Sequence, residues 1–112
     1  MILTSFWGNL RNVNREQVVS VSRYCRFWNG DSEPKFFPSQ KLLFDFKNGK
    51  IDEKIYTYHF KWYLWDNLNV HEMFEKYDGK ILMCYEKTGF CHRHILAEWF
   101  RHFGYECKEM ED

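Results

Sequence analysis

Nowhere does the chain approach the roughly 20 consecutive apolar residues that a bilayer-spanning helix requires. No signal peptide opens it either, so a protein of the cytoplasm with no membrane attachment is expected. A net charge is also missing. Sixteen basic residues balance sixteen acidic ones, which leaves no global pull on nucleic acid or anionic lipid; any anion recognition has to be local. Proline is confined to Pro34 and Pro38, both in one loop. Without a linker, an internal repeat or a low-complexity segment, residues 1–112 read as a single domain. The four cysteines, at positions 25, 84, 91 and 107, include no C-x-x-C pair. With no export signal they read as reduced thiols.

What is abundant is aromatic. Phe, Tyr and Trp supply 21% of the residues, with eleven Phe and five Trp. That is too much for a disordered chain and enough for a core without disulfide staples.

Ile2–Trp7 and the nearly continuous apolar run 18–22 read as strands, the second suited to burial on both faces of a parallel sheet. Residues 29–38 read as a loop. Ser39 caps a short helix carrying Leu42, Leu43 and Phe46, which Asn48-Gly49 stops. From Asp52 to about Trp65 two periods compete. Ile55, Tyr58 and Trp62 have helical spacing, whereas Tyr56, Tyr58, Phe60 and Trp62 alternate like a strand; length and the Asp52 cap favour helix. Within this stretch the aromatics read as core before they read as a stacking platform. Asn69 and Glu72 form a capping box, Leu68 staples onto Met73, and Gly79 ends that helix. Lys80–Tyr85 reads as the central strand, 92–103 as a helix closed by Gly104, and 105–110 as a last strand before an acidic tail. The alternation predicts a small three-layer α/β domain, Rossmann-like, with a mainly parallel sheet of about four strands and helices on both faces.

Chemistry concentrates in the strand–loop–helix turn from Cys84 to Arg93. Cys91-His-Arg-His94 admits three functional readings. As an anion site, helix N–H groups and the Arg93 guanidinium grip a phosphate or carboxylate. As a nucleophile, Cys91 at a helix start beside His92 and Arg93 has a depressed pKa. As a metal site, Cys84, Cys91, His92 and His94 offer ligands that zinc accepts, but adjacent Cys91 and His92 are not expected to share a face, so no metal is assigned. Against all three stands a structural reading in which Cys84 is a small core residue and Cys91 a helix cap. A cation in the first helical turn costs ~0.3–1 kcal/mol against the dipole, so Arg93 calls for an anionic partner, either Glu86 or a bound ligand. Glu86 then holds the Arg93 fork or serves as a base. Ligands of α/β proteins sit beyond the C-terminal ends of parallel strands, which adds Asn9, Ser22 and Arg23 to Arg93 as ligand-binding candidates, beside the catalytic candidates Glu86, Cys91 and His92.

The segment Ile81–Phe100 resembles the signature of the domain-of-unknown-function 488 family of bacterial and phage proteins, and Thr4–Asn9 and Ser20–Arg23 are similar to that family's N-terminal half. The resemblance covers most of the chain and is weaker over residues 29–66. It implies a cytosolic α/β domain, a bacterial or phage context, and a site at Cys84, Glu86, Cys91, His92 and Arg93, but it supplies no substrate. Two functions are expected from these readings. One is a hydrolase or transferase acting on a phosphate-bearing nucleotide or nucleic-acid end; the other is a binding module that holds a nucleotide-like ligand without turnover. No cofactor is expected.

Overall fold

Four short strands pair into one sheet in the computed structural model, which describes residues 1–87 and 89–111. They are β1 (Ile2–Phe6), β2 (Val18–Ser20), β3 (Ile81–Cys84) and β4 (Cys107–Glu109), in the order β2-β3-β1-β4. Every pairing is parallel: Leu3 lies opposite Ile81, Phe6 opposite Cys84, Val18 opposite Ile81, and Ile2 opposite Cys107. Because side chains alternate along a strand, β3 divides its residues between two cores. Leu82 and Cys84 join Ile2 and Val19 on one face, while Ile81 and Met83 join Val18 and Trp7 on the other.

All the α-helices contribute to the first core: α1 (Gln40–Lys47), α2 (Glu53–Asn67), α3 (Val70–Tyr77) and α4 (His92–His102). The opposite face is covered by 3₁₀ turns at Trp7–Asn12 and Arg15–Gln17 and by the loop bearing Cys25 and Trp28. The result is a three-layer, Rossmann-like α/β fold in which one outer layer is 3₁₀ and loop, where α-helix was expected. The connection from Phe6 to Val18 is too short to lay a full helix back along the sheet. Among the described residues no helix is long and apolar enough to cross a membrane.

The ambiguous aromatic segment is helical. The Asp52 carboxylate accepts from the Ile55 N–H at 2.9 Å, and Tyr56, Phe60 and Leu64, four apart, face the core. The intervening Tyr58 and Trp62 are left 58% and 52% exposed, so the aromatic stripe is divided between core and surface. Ser39 and Asn69 cap α1 and α3 as their positions suggest, each side chain accepting at 3.1 Å from the N–H three residues on. At the end of α4 the N–H groups of Gly104 and Tyr105 return to the carbonyls of Arg101 and Phe100 at 3.0 and 3.1 Å. This closure requires the positive φ of 87° that Gly104 adopts.

Candidate functional site

The C-terminal ends of β2 and β3 open into a cleft of about 390 Å³, whose lining includes Ser22, Arg23, Lys47, Cys84, Glu86 and His92. That volume falls in the range of small-ligand pockets. Each side chain arrives there for a local reason. Cys84 is the last residue of β3 and points to the helical face. Ser22 and Arg23 lie two and three residues past the end of β2, Lys47 closes α1, and His92 opens α4.

His92 is buried, with its ring edge-on to Phe60 at 5.5 Å. Its Nε2 lies 2.7 Å from the Val21 carbonyl. A carbonyl can only accept, so Nε2 carries the proton and the Nδ1 lone pair is turned toward Cys84 Sγ, 3.5 Å away. Burial above all pushes the imidazole pKa down to about 4; the Val21 carbonyl opposes this, and the Arg93 and His94 charges add to it. At neutral pH the ring is therefore neutral.

Cys91 occupies the cap position of α4 in an extended conformation, φ −153° and ψ 141°, and its side chain makes no capping hydrogen bond. The expectation that Cys91 and His92 diverge assumed helical geometry at both. An extended Cys91 is free of that geometry, and its sulfur swings toward β3 to join Cys84 in a disulfide across a Cα–Cα distance of 7.4 Å. Reduced thiols were expected throughout; among the described residues only Cys25 and Cys107 are free. The sulfurs of Cys84 and Cys91 and a ring nitrogen of His92 all lie within 4.8 Å of one another.

Arg93 differs most from its sequence reading. It is 0% exposed and spends its guanidinium inside the protein. Nε and Nη2 grip the Glu109 carboxylate at 3.0 and 2.8 Å, and Nη1 donates to the Glu86 carbonyl at 2.5 Å. The anion that offsets its position in the first helical turn is thus Glu109 on β4, and Glu86 is met only through its backbone. With no exposed surface, Arg93 ties the loop after β3 to the edge strand and is not placed to touch a ligand. Glu109 completes the join by accepting from the Thr4 hydroxyl at 2.6 Å.

The remaining candidates separate. Ser22 and Arg23 line the cleft. Asn9 is buried on the 3₁₀ turn beyond β1, where its Nδ2 donates to Ser5 Oγ at 3.0 Å, and it is not among the lining residues. Glu86 is exposed at the rim, with Oε2 3.9 Å from Cys84 Sγ. Arg23 forms part of both this cleft and a neighbouring one of about 450 Å³ that reaches His59 and Tyr63. Its Nε donates to the Pro38 carbonyl at 2.8 Å; among the described residues its terminal nitrogens and the Lys47 ammonium have no partner. Lys47 carried no signal beyond its place in a last helical turn, where cations are common. Comparison of the chain with protein-family models, with curated proteins and with solved structures returned no match.

Proposed function

We propose that the chain is a ligand-binding domain for a small phosphate-bearing molecule of the nucleotide class, held in the cleft beyond β2 and β3. The observation that carries this reading is the pair of exposed cations on one cleft, Arg23 and Lys47, whose terminal guanidinium nitrogens and ammonium have no protein partner among the described residues. A guanidinium offers a phosphate two parallel N–H donors, and an ammonium adds a mobile point charge. The nearby rings of Tyr24 and Tyr85 supply surfaces for a base.

Binding without turnover is favoured over the hydrolase or transferase reading by the state of the reactive groups. Cys91 is bonded to Cys84, and His92 is buried with its Nε2–H spent on the Val21 carbonyl. Glu86 is left as the acid–base group on the rim. A thermal-shift titration with nucleoside mono-, di- and triphosphates and with inorganic phosphate tests the reading. Stabilisation by at least one of them is expected, lost in Arg23→Ala and weakened about tenfold or more in Lys47→Ala, as for the loss of a charged hydrogen bond. No shift with any of them would remove the proposal. Mass spectrometry of the recovered ligand decides between module and enzyme: unchanged ligand supports the module, and a new product makes the protein an enzyme.

A further inference from the structure

Cys84, Cys91 and His92 meet where two backbone segments converge, the end of β3 and the start of α4, and nothing in ligand binding by Arg23 and Lys47 uses them. All three are buried, at 2%, 4% and 7% exposure. We propose that, in the dithiol state, Cys84 Sγ, Cys91 Sγ and His92 Nδ1 bind a single zinc-class divalent ion, with the fourth coordination position opening toward Glu86 and the cleft.

The imidazole is already arranged as a ligand. Metal-binding histidines characteristically donate the second ring N–H to a carbonyl or carboxylate, which fixes the tautomer and the ring plane. Here Nε2–H donates to the Val21 carbonyl at 2.7 Å, and the lone pair on Nδ1 is presented to the sulfurs.

The spacing of the cysteines argues the same way. Their Cα atoms are 7.4 Å apart, beyond the roughly 4.4–6.8 Å that a disulfide usually spans. A tetrahedral ion with Zn–S bonds of about 2.3 Å holds its two sulfurs about 3.8 Å apart. A bridge of that length suits cysteines held this far apart better than a direct bond.

Charge and ligand type close the argument. Two thiolates and a neutral imidazole compensate a divalent ion, so the filled site adds no net charge to the core. Sulfur and imidazole together select zinc over magnesium or calcium, which prefer oxygen ligands. Glu86 Oε2, 3.9 Å from Cys84 Sγ, is within reach of the fourth position by a side-chain rotation. The cleft lined by Cys84, Glu86 and His92 gives a water or a ligand the same access. Binding releases the two thiol protons and changes no oxidation state. The site stands whether or not the cleft takes a phosphate.

The experiment uses the full chain, reduced with a phosphine that is then removed anaerobically. Inductively coupled plasma mass spectrometry is expected to find one zinc per chain after loading and desalting. Cobalt(II) titration should give thiolate-to-cobalt charge transfer and tetrahedral visible bands that saturate at one equivalent. Cys84→Ser and Cys91→Ser should lose these bands or weaken binding by more than about 100-fold, beyond the penalty for disturbing a group that only supports a ligand. Cys25→Ser and Cys107→Ser should bind as the parent does. Should the ligand variants fail to fold, alkylation of the parent with peptide mapping answers instead: zinc should protect Cys84 and Cys91 and leave Cys25 reactive. Reduced parent that retains no zinc and shows no cobalt bands, or labelling of Cys84 and Cys91 unaffected by zinc, overturns the proposal.

Discussion

Arg93 is fully buried and its carboxylate partner lies on the last strand, so its loss strands Glu109 and frees the carbonyls of the loop after β3. Removing one member of a buried pair costs ~3–5 kcal/mol; Glu109 is partly exposed, which places Arg93→Ala toward the lower end. Chemical denaturation should show that loss, and a melting temperature unchanged from the parent would return Arg93 to the list of ligand-binding candidates. The thiols should separate as clearly. Without reductant Cys25, the accessible free cysteine, is expected to alkylate first. Cys107 should resist, since burial above all pushes its pKa up to about 11, and only the thiolate reacts. Faster labelling of Cys107 than Cys25 in a peptide-mapped time course would contradict this order. At this scale the contacts of Arg93 differ from its sequence reading. Arg93 was legible as a cation needing an anion, but which anion depends on β4 lying beside β1, and local spacing carries no trace of that pairing.

Among the elements, α2 shows what periodicity can decide. Alternation and helical spacing overlapped over 55–65, and the Asp52 cap with a length of fifteen residues settled it. Phe60→Ala should cost ~3–5 kcal/mol, as for other buried aromatics, while Trp62→Ala on the outer face should stay within about 0.5 kcal/mol. Equal losses in denaturant melts would mean that the outer aromatics are also core. The loop 29–38 was legible only as a loop. Its anchor is Glu33, which accepts from Tyr77 Oη at 2.6 Å and Lys76 Nζ at 3.1 Å. Burial pushes the Glu33 pKa up, but these two bonds and the Lys35 N–H outweigh it and hold it below the ordinary 4.5. A folded pKa below the unfolded one means that ionised Glu33 stabilises the fold above the unfolded value, and that this contribution fades as pH falls through the folded one. Melting temperatures taken between about pH 6 and 3 should therefore drop less steeply in Glu33→Gln than in the parent. Parallel slopes would show that the carboxylate does not anchor the loop.

For the molecule as a whole, the α/β class and the parallel sheet followed from strands alternating with capped helices. The strand order and the 3₁₀ layer did not. Order depends on which edges each connection can reach, and the short segment after β1 substitutes tight turns for a helix. The cleft was foreseeable in outline, at the C-terminal ends of β2 and β3. Cys84, Cys91 and His92 were named together as ligand types, but helical geometry argued that Cys91 and His92 diverge, and the extended backbone of Cys91 that lets them meet follows no periodic rule.

The partnership of β1 with β4 also sets a timetable. Thr4 and Glu109 bond across 105 positions of chain, so β1 leaves the ribosome long before its outer neighbour has been made. Until then its free edge and the Arg93 guanidinium lack their mates. Contacts this distant in sequence slow folding, and an uncovered strand edge invites pairing with other chains. Nascent chains stalled before Cys107 should accordingly remain protease-sensitive and bind chaperones, and protection should arrive in one step once Glu109 has cleared the exit tunnel. Gradual protection as each helix emerges would mean that the helical face folds on its own, with the edge strand added to a finished body.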